Sequence, residues 1–102
     1  MEDSGDLNSM REIAEFMREN LPAGMGLATF GKRMNWGRRN ADARRRIATL
    51  TIEELRRTGL TSDQATNWAT AYDAVGRIAP NNPSAAGRSE LMKHAAKILE
   101  GE

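Results

Sequence analysis

The fold is decided by residues 51–75, which read TIEELRRTGLTSDQATNWATAYDAV. Two helix capping boxes lie in this stretch, Thr51 with Glu54 and Thr61 with Gln64. Between them, Gly59 is typical of a helix end, because glycine adopts the left-handed conformation without steric cost. After the second box, apolar residues recur at helical spacing, at Ala65, Trp68, Tyr72 and Val75. The stretch therefore predicts two consecutive helices, the second of them long.

Similar signals precede this stretch. A third capping box, at Ser9 and Glu12, opens a helix that the proline and glycines of residues 21–26 interrupt. Three apolar residues then stand at helical spacing, Leu27, Phe30 and Met34. They predict a short second helix, and Gly37 is placed to end it.

Two more helices complete the predicted fold. Asn40 or Asp42 starts one of them, and its predicted buried face is formed by Ala43, Ile47 and Leu50. The last helix follows a turn at residues 80–84 and starts at Pro83 or Ser84. Its predicted buried residues are Leu91, Met92, Ala95, and Ile98 or Leu99. The sequence has no strand-like alternation, so we predict an all-α fold, a compact single-domain bundle of five or six short helices.

The composition excludes several kinds of site. The 102 residues are 39 % hydrophobic, 28 % charged and only 5 % aromatic, so small and aliphatic residues must supply most of the core. The absence of cysteine excludes disulfides, thiolate metal ligands and cysteine nucleophiles. The single histidine, His94, excludes a histidine-rich metal centre. No apolar run approaches the ~18 residues that a membrane span needs. We therefore expect a soluble protein with no cofactor, no metal and no membrane partner.

The beginning of the chain is acidic. Residues 1–20 contain six acidic and two basic residues, and they lack the basic and then apolar pattern of a signal peptide. We predict that residues 1–7 form a flexible acidic arm and that residues 8–102 form a single helical domain.

The strongest electrostatic feature is the segment from Lys32 to Arg46, which holds seven basic residues and one acidic residue. At about 100° per residue, a helix that starts near Arg38 turns its arginines away from the apolar face. Such a cluster suits phosphate, since each guanidinium can bind two oxygens in one plane. Met34 and Trp36 would be exposed anchors beside it. The predicted binding residues are Lys32, Arg33, Trp36, Arg38, Arg39, Arg45 and Arg46.

Three interpretations of this basic segment stay open. The first is a solvated helix face, partly neutralised because Asp42 lies four residues from both Arg38 and Arg46. The second is a surface for an acidic protein partner, and the third is a surface for nucleic acid, although no named nucleic-acid motif is present. The acidic arm is also placed to fold back onto the arginines until a partner displaces it.

His94 is the weak candidate for a catalytic residue, because histidine is the usual proton carrier near neutral pH. It lies between Lys93 and Lys97, a step off the apolar stripe, which is typical of an exposed surface residue. Catalysis also needs a pocket and an orienting partner. We find no convincing catalytic constellation and favour a protein that is not an enzyme; if it is one, we expect a nuclease-like hydrolase.

The second half of the chain resembles a known domain over roughly residues 47–99. The most specific part is Asn82-Pro83-Ser84-Ala85-Ala86-Gly87-Arg88, followed by Leu91-Met92. It is similar to a small helical domain of unknown function at the C-termini of bacterial polymorphic-toxin-type, surface-exported or phage-related proteins. The resemblance implies a place in the bacterial cytoplasm or delivery into a target cell. It brings no catalytic residues.

Two functions follow from these observations. In the first, a helical interaction module of toxin, effector or phage proteins docks an acidic protein or nucleic acid through the basic segment. Its protein partner would be an immunity protein or a host target. In the second, a toxin domain acts on RNA in a target bacterium and is neutralised by an immunity protein. There the arginines would hold phosphates and His94 would move the proton.

Overall fold

The computed structural model describes residues 7–101, in which six helices and no strands are found. The helices are α1 (Met10–Glu19), α2 (Leu27–Met34), α3 (Asn40–Ile47), α4 (Ile52–Thr58), α5 (Ser62–Ile78) and α6 (Ala85–Glu100). The radius of gyration is 12.7 Å, close to the ~13 Å of a compact 100-residue domain. The prediction of an all-α, single-domain bundle is confirmed.

The capping boxes start three helices where the sequence places them. The side chains of Ser9, Thr51 and Thr61 each accept a hydrogen bond from the backbone N–H three residues later. Gly59 ends α4 in the left-handed conformation, with φ of 81°. Met34, rather than a residue nearer Gly37, ends α2, because Asn35 adopts the left-handed conformation that asparagine tolerates, with φ of 54°.

The core lies around an α5–α6 hairpin, which makes the most extensive contact between helices. Helices α3 and α4 pack against α6, and α1 packs against α5. The largest fully buried side chains are Trp68, Phe30, Ile13, Met34, Leu55, Leu91 and Met92. Of the residues predicted to be buried, Ile47, Ile98 and Leu99 are half-buried and pack against the edge of this core.

The segment Asn82–Arg88, which carries the resemblance, joins α6 to α3. The side-chain oxygen of Asn82 accepts hydrogen bonds from the backbone N–H groups of Ser84 and Ala85, both at 2.9 Å, and so caps α6. The backbone N–H of Gly87 donates to the Asn40 side chain at 2.7 Å. A Cβ on Gly87 would lie 2.5 Å from the Asn40 carbonyl oxygen, so only glycine permits this approach.

The predicted acidic arm of residues 1–7 lies outside the described residues, except for Leu7. Leu7 is only 7 % exposed, and its carbonyl oxygen accepts a 2.7 Å hydrogen bond from the Arg77 guanidinium. Leu7 therefore belongs to the core rather than to an arm.

Candidate functional site

Four of the predicted binding residues form an exposed group of cations at the connection between α2 and α3. Lys32 and Arg33 lie in the last turn of α2, Arg38 lies in the connection and Arg39 caps α3. All four are exposed, and none has an acidic partner within residues 7–101. We call this group the basic corner. No ion pair within residues 7–101 holds any of these four side chains, although the Arg39 charge acts on Asp42 and helps to lower its pKa.

Asp42 shapes the basic corner through backbone contacts. Its carboxylate accepts hydrogen bonds from the backbone N–H groups of Arg39 at 3.2 Å and Arg38 at 3.3 Å. These bonds, first that from Arg39, hold the pKa of Asp42 below its usual value, helped by the charges of Arg45 and Arg39. The side chain that pairs with Asp42 is that of Arg45. Asp42 thus offsets the charges of Arg45 and Arg39 rather than those of Arg38 and Arg46, and the interpretation of a partly neutralised helix face stays open.

Arg46 lies in the interior, which contradicts its predicted place on an exposed face. Its side chain is 8 % exposed. The guanidinium donates to the Met34 carbonyl at 2.9 Å and to the Thr49 hydroxyl at 2.9 Å, and it pairs with the Glu54 carboxylate at 3.1 Å. Arg46 therefore ties the end of α2 to α3 and α4, and its charge is unavailable to a partner.

The exposed arginines of α3 are also paired. Arg44 makes a two-pronged contact with Glu90 of α6, at 3.1 and 2.8 Å. This contact lowers the pKa of Glu90 and raises that of Arg44. Arg45 pairs with Asp42 while remaining 73 % exposed. Of the seven predicted binding residues, Lys32, Arg33, Arg38 and Arg39 are exposed, lie on either side of the α2–α3 connection and form no ion pair within residues 7–101.

Met34 and Trp36 are buried, so the prediction that they are exposed anchors is wrong. Met34 is 1 % exposed and Trp36 is 8 % exposed. The Trp36 ring meets Phe30 and Tyr72 edge to face, with centroids 5.6 and 5.5 Å apart. It also lies 5.8 Å from the ring of Trp68. Such contacts hold the Trp36 ring in one orientation.

An open cavity of about 380 Å³ lies over this aromatic cluster, and we call it the aromatic cleft. It is lined by Met17, Leu27, Ala28, Gly31, Trp36, Trp68, Tyr72 and Arg88. Its volume is within the ~300–1,000 Å³ of small-molecule and side-chain pockets. The aromatic cleft adjoins the basic corner, because the Arg88 guanidinium donates a 2.6 Å hydrogen bond to the carbonyl of Gly37.

Arg88 is the residue of this site that the sequence prediction missed. Its guanidinium carbon lies 4.8 Å from the Trp36 ring centroid, and it donates to the Tyr72 hydroxyl at 3.2 Å. Burial raises the pKa of Tyr72, an effect that the Arg88 charge partly opposes. A signal was available: Arg88 stands at helical spacing with Leu91, Met92 and Ala95, so it is a charge on the apolar face of α6.

His94 lies away from the aromatic cleft, on the side of α6 that faces α3. It is half-buried and lines a shallow cavity of about 270 Å³ together with Ile47, Glu90, Lys93 and Lys97. No described residue forms a hydrogen bond with its imidazole. An orienting contact of the kind that a catalytic histidine uses is therefore not found within residues 7–101.

No group of three or more His, Asp or Glu side chains within residues 7–101 is arranged to hold a metal ion. None of the six helices combines the length and the apolar character that a membrane crossing requires.

Comparison with known proteins identifies a family. A family model described as a domain of unknown function, DUF4951, matches residues 7–99. The resemblance to a helical domain of unknown function is confirmed to that extent. No curated protein and no solved structure matches the chain.

Proposed function

We propose that this chain, which belongs to the DUF4951 family, is a helical interaction module that docks an acidic protein partner through the basic corner. The observation that carries the proposal is a contrast between two groups of basic residues, those of α3, which form ion pairs, and those of the basic corner, which form none in the described part of the chain. Arg44, Arg45 and Arg46 each form an ion pair, while the four cations of the basic corner form none within residues 7–101, and only the charge of Arg39 among them acts on Asp42. Unpaired cations on one surface attract and orient a partner of opposite charge.

An acidic protein fits this surface better than a nucleic acid does. The whole chain has a net charge of only +1 and a pI of about 8.2, whereas nucleic-acid-binding domains commonly exceed a pI of ~9. The basic corner also adjoins the apolar aromatic cleft. Basic residues next to aromatic and apolar surface are typical of protein–protein interfaces.

The biological setting that we propose rests on the resemblance described from the sequence. Domains of that kind occur at the C-termini of bacterial toxin-type, surface-exported or phage-related proteins. In such a protein, this module would bind an immunity protein or a target in the cell that receives it.

Binding to defined polyanions tests the proposal. Fluorescence anisotropy would compare labelled poly-L-glutamate with a single-stranded RNA of equal charge at low and high salt. We expect salt-sensitive binding that prefers polyglutamate and weakens at least tenfold in the double variant Arg38→Ser/Arg39→Ser. The matched control Arg11→Ser/Arg18→Ser removes two exposed arginines of α1 and should retain binding within about twofold.

Two outcomes would overturn the proposal. Preferred binding of RNA would favour the nucleic-acid interpretation of the basic corner, and equal losses in both double variants would show that the corner is not a specific surface. The RNA-cleaving alternative is tested by inducing the chain in bacteria and following growth and total RNA. We expect normal growth and intact RNA; growth arrest that His94→Ala relieves would instead establish an enzyme.

A further inference from the structure

We propose that the aromatic cleft binds an apolar side chain of the partner that stands next to a carboxylate, with Arg88 receiving the carboxylate. This inference rests on the proposed function, and it names the partner chemistry: an acidic peptide segment with an aromatic or branched apolar residue beside an acidic one. The basic corner would attract such a segment, and the aromatic cleft would anchor it.

Arg88 has hydrogen-bonding capacity that the described chain does not use. A guanidinium carries five N–H donors. Arg88 uses one donor on the Tyr72 hydroxyl and one on the Gly37 carbonyl, and both acceptors are neutral. Its Nε is buried and has no hydrogen-bond partner. The buried Nε is out of reach of a ligand, but Nη1 and Nη2 each keep a second N–H, and these two donors can bind an anion with charge-assisted hydrogen bonds.

Within residues 7–101, no carboxylate pairs with Arg88, whereas Arg44 and Arg46 each pair with a glutamate. Arg88 is also held above the Trp36 ring, which fixes the orientation of its guanidinium plane. The cleft therefore presents one oriented, uncompensated positive charge.

The walls of the aromatic cleft include exposed apolar side chains. Leu27 is 40 % exposed, which makes it one of the few large hydrophobic residues that the described surface leaves open. It lines the cleft with Met17, an unbranched side chain that adapts to irregular shapes. The indole N–H of Trp36 has no acceptor within residues 7–101, while that of Trp68 donates to the Asn20 carbonyl at 3.0 Å. An apolar group would cover Leu27 and Met17, and a polar atom beside it would satisfy Trp36.

The floor of the cleft is already ordered, which reduces the entropy lost on binding. Trp68 is fixed by its hydrogen bond to Asn20, and its ring lies 4.8 Å from that of Phe30. A ligand would therefore meet a preformed surface rather than induce one.

A pair of small probes tests the inference on the full chain. The anion 3-phenylpropionate and its neutral amide, 3-phenylpropanamide, would be titrated into ¹⁵N-labelled protein. NMR would follow the side-chain N–H signals of Trp36 and Arg88. We expect saturable shifts of both signals with the carboxylate and at least fivefold weaker binding of the amide. Arg88→Gln should abolish the preference for the carboxylate.

A second variant tests the cavity without removing the charge. Ala28 is exposed and lines the cleft, so Ala28→Leu should fill the space and weaken both probes at least fivefold. Ala48→Leu, an exposed alanine outside the cleft lining, is the matched control and should leave binding unchanged. If Arg88→Gln fails to fold, the comparison of the two probes on the wild-type chain and the Ala28→Leu result still decide the question.

The inference is overturned if the carboxylate gives no saturable shift, if the amide binds equally well, or if Ala28→Leu has no effect. Its failure is separable from failure of the proposed function. Polyglutamate binding that depends on Arg38 and Arg39 would persist if only the cleft assignment is wrong. Conversely, 3-phenylpropionate binding that survives Arg38→Ser/Arg39→Ser, with no polyglutamate binding, would retain the cleft and remove the basic corner.

Discussion

The body of α3 and the basic corner carry the same kinds of residue a few positions apart, and the fold treats them differently. In α3, Arg44 and Arg46 reach glutamates on α6 and α4, which pack around that helix. At the corner, backbone N–H groups and Arg45 already occupy the Asp42 carboxylate, and within residues 7–101 the four cations form no ion pair. The local density of positive charge is therefore a poor guide to the charge that a partner can meet. Pairing by distant helices decides which cations stay available.

Removing the buried arginine should have the largest effect on stability. Arg46→Ala leaves the Glu54 carboxylate and the Met34 carbonyl without their partner, so we expect a loss of about 3 kcal/mol in the free energy of unfolding. Arg45→Ala removes an exposed, paired arginine one position earlier and should cost less than ~0.5 kcal/mol. Urea unfolding followed by circular dichroism measures both. Equal losses would show that burial does not distinguish these arginines.

The stability that Glu54 contributes, as the partner of the buried Arg46, should depend on pH. The pKa of Glu54 is held below its ordinary 4.5, first by the backbone N–H of Thr51 and then by Arg46. Because the pKa is lower in the folded state, the stabilisation is complete above the unfolded pKa and is lost as pH falls through the folded value. We expect the urea concentration at the midpoint of unfolding to decrease as the pH falls below about 5. Glu54→Gln, which preserves the capping residue type, should reduce that decrease; an unchanged pH profile would contradict the assignment.

The smallest effect concerns the exposed pair between α3 and α6. The Arg44 and Glu90 side chains are 47 % and 49 % exposed, so solvent screens their attraction despite the two-pronged geometry. A double-mutant cycle with Arg44→Ala and Glu90→Ala should give a coupling of about 0.5–1 kcal/mol. Raising the salt concentration should reduce it. A coupling above ~2 kcal/mol would mean that this pair, like Arg46, is part of the structural frame.

The helices were predictable because their signals are local. Each capping box lies within four residues, and the apolar spacing of α5 falls within one helix. The position of Arg46 was not predictable in this way. Its burial depends on Met34 and Glu54, which belong to two other helices, and the apolar pattern of α3 suggested Ile47 instead. A long side chain can bury its methylene stem beside Ala43 while its charged end finds distant partners.

The candidate site was predictable in part. The exposure of the four cations of the basic corner agrees with the sequence pattern, because they are charged and close in sequence, while their role in binding stays a prediction. The aromatic cleft was missed because it joins Trp36 to Arg88, and that contact closes a loop of some fifty residues. Neither residue alone indicates a site. Only the apolar face of α6, interrupted by Arg88, gave a hint that this arginine lies against the core.

The position of α6 at the end of the described chain has a consequence for how the domain is made. This helix supplies Leu91, Met92 and Ala95 to the core, and α3, α4 and α5 all pack against it. Synthesis runs from the N-terminus, so the first five helices leave the ribosome with the apolar face of α5 still open to water. The domain reaches its folded state only once residues 85–100 have emerged. Until then the apolar surface of α5 that α6 covers in the folded domain is exposed to water.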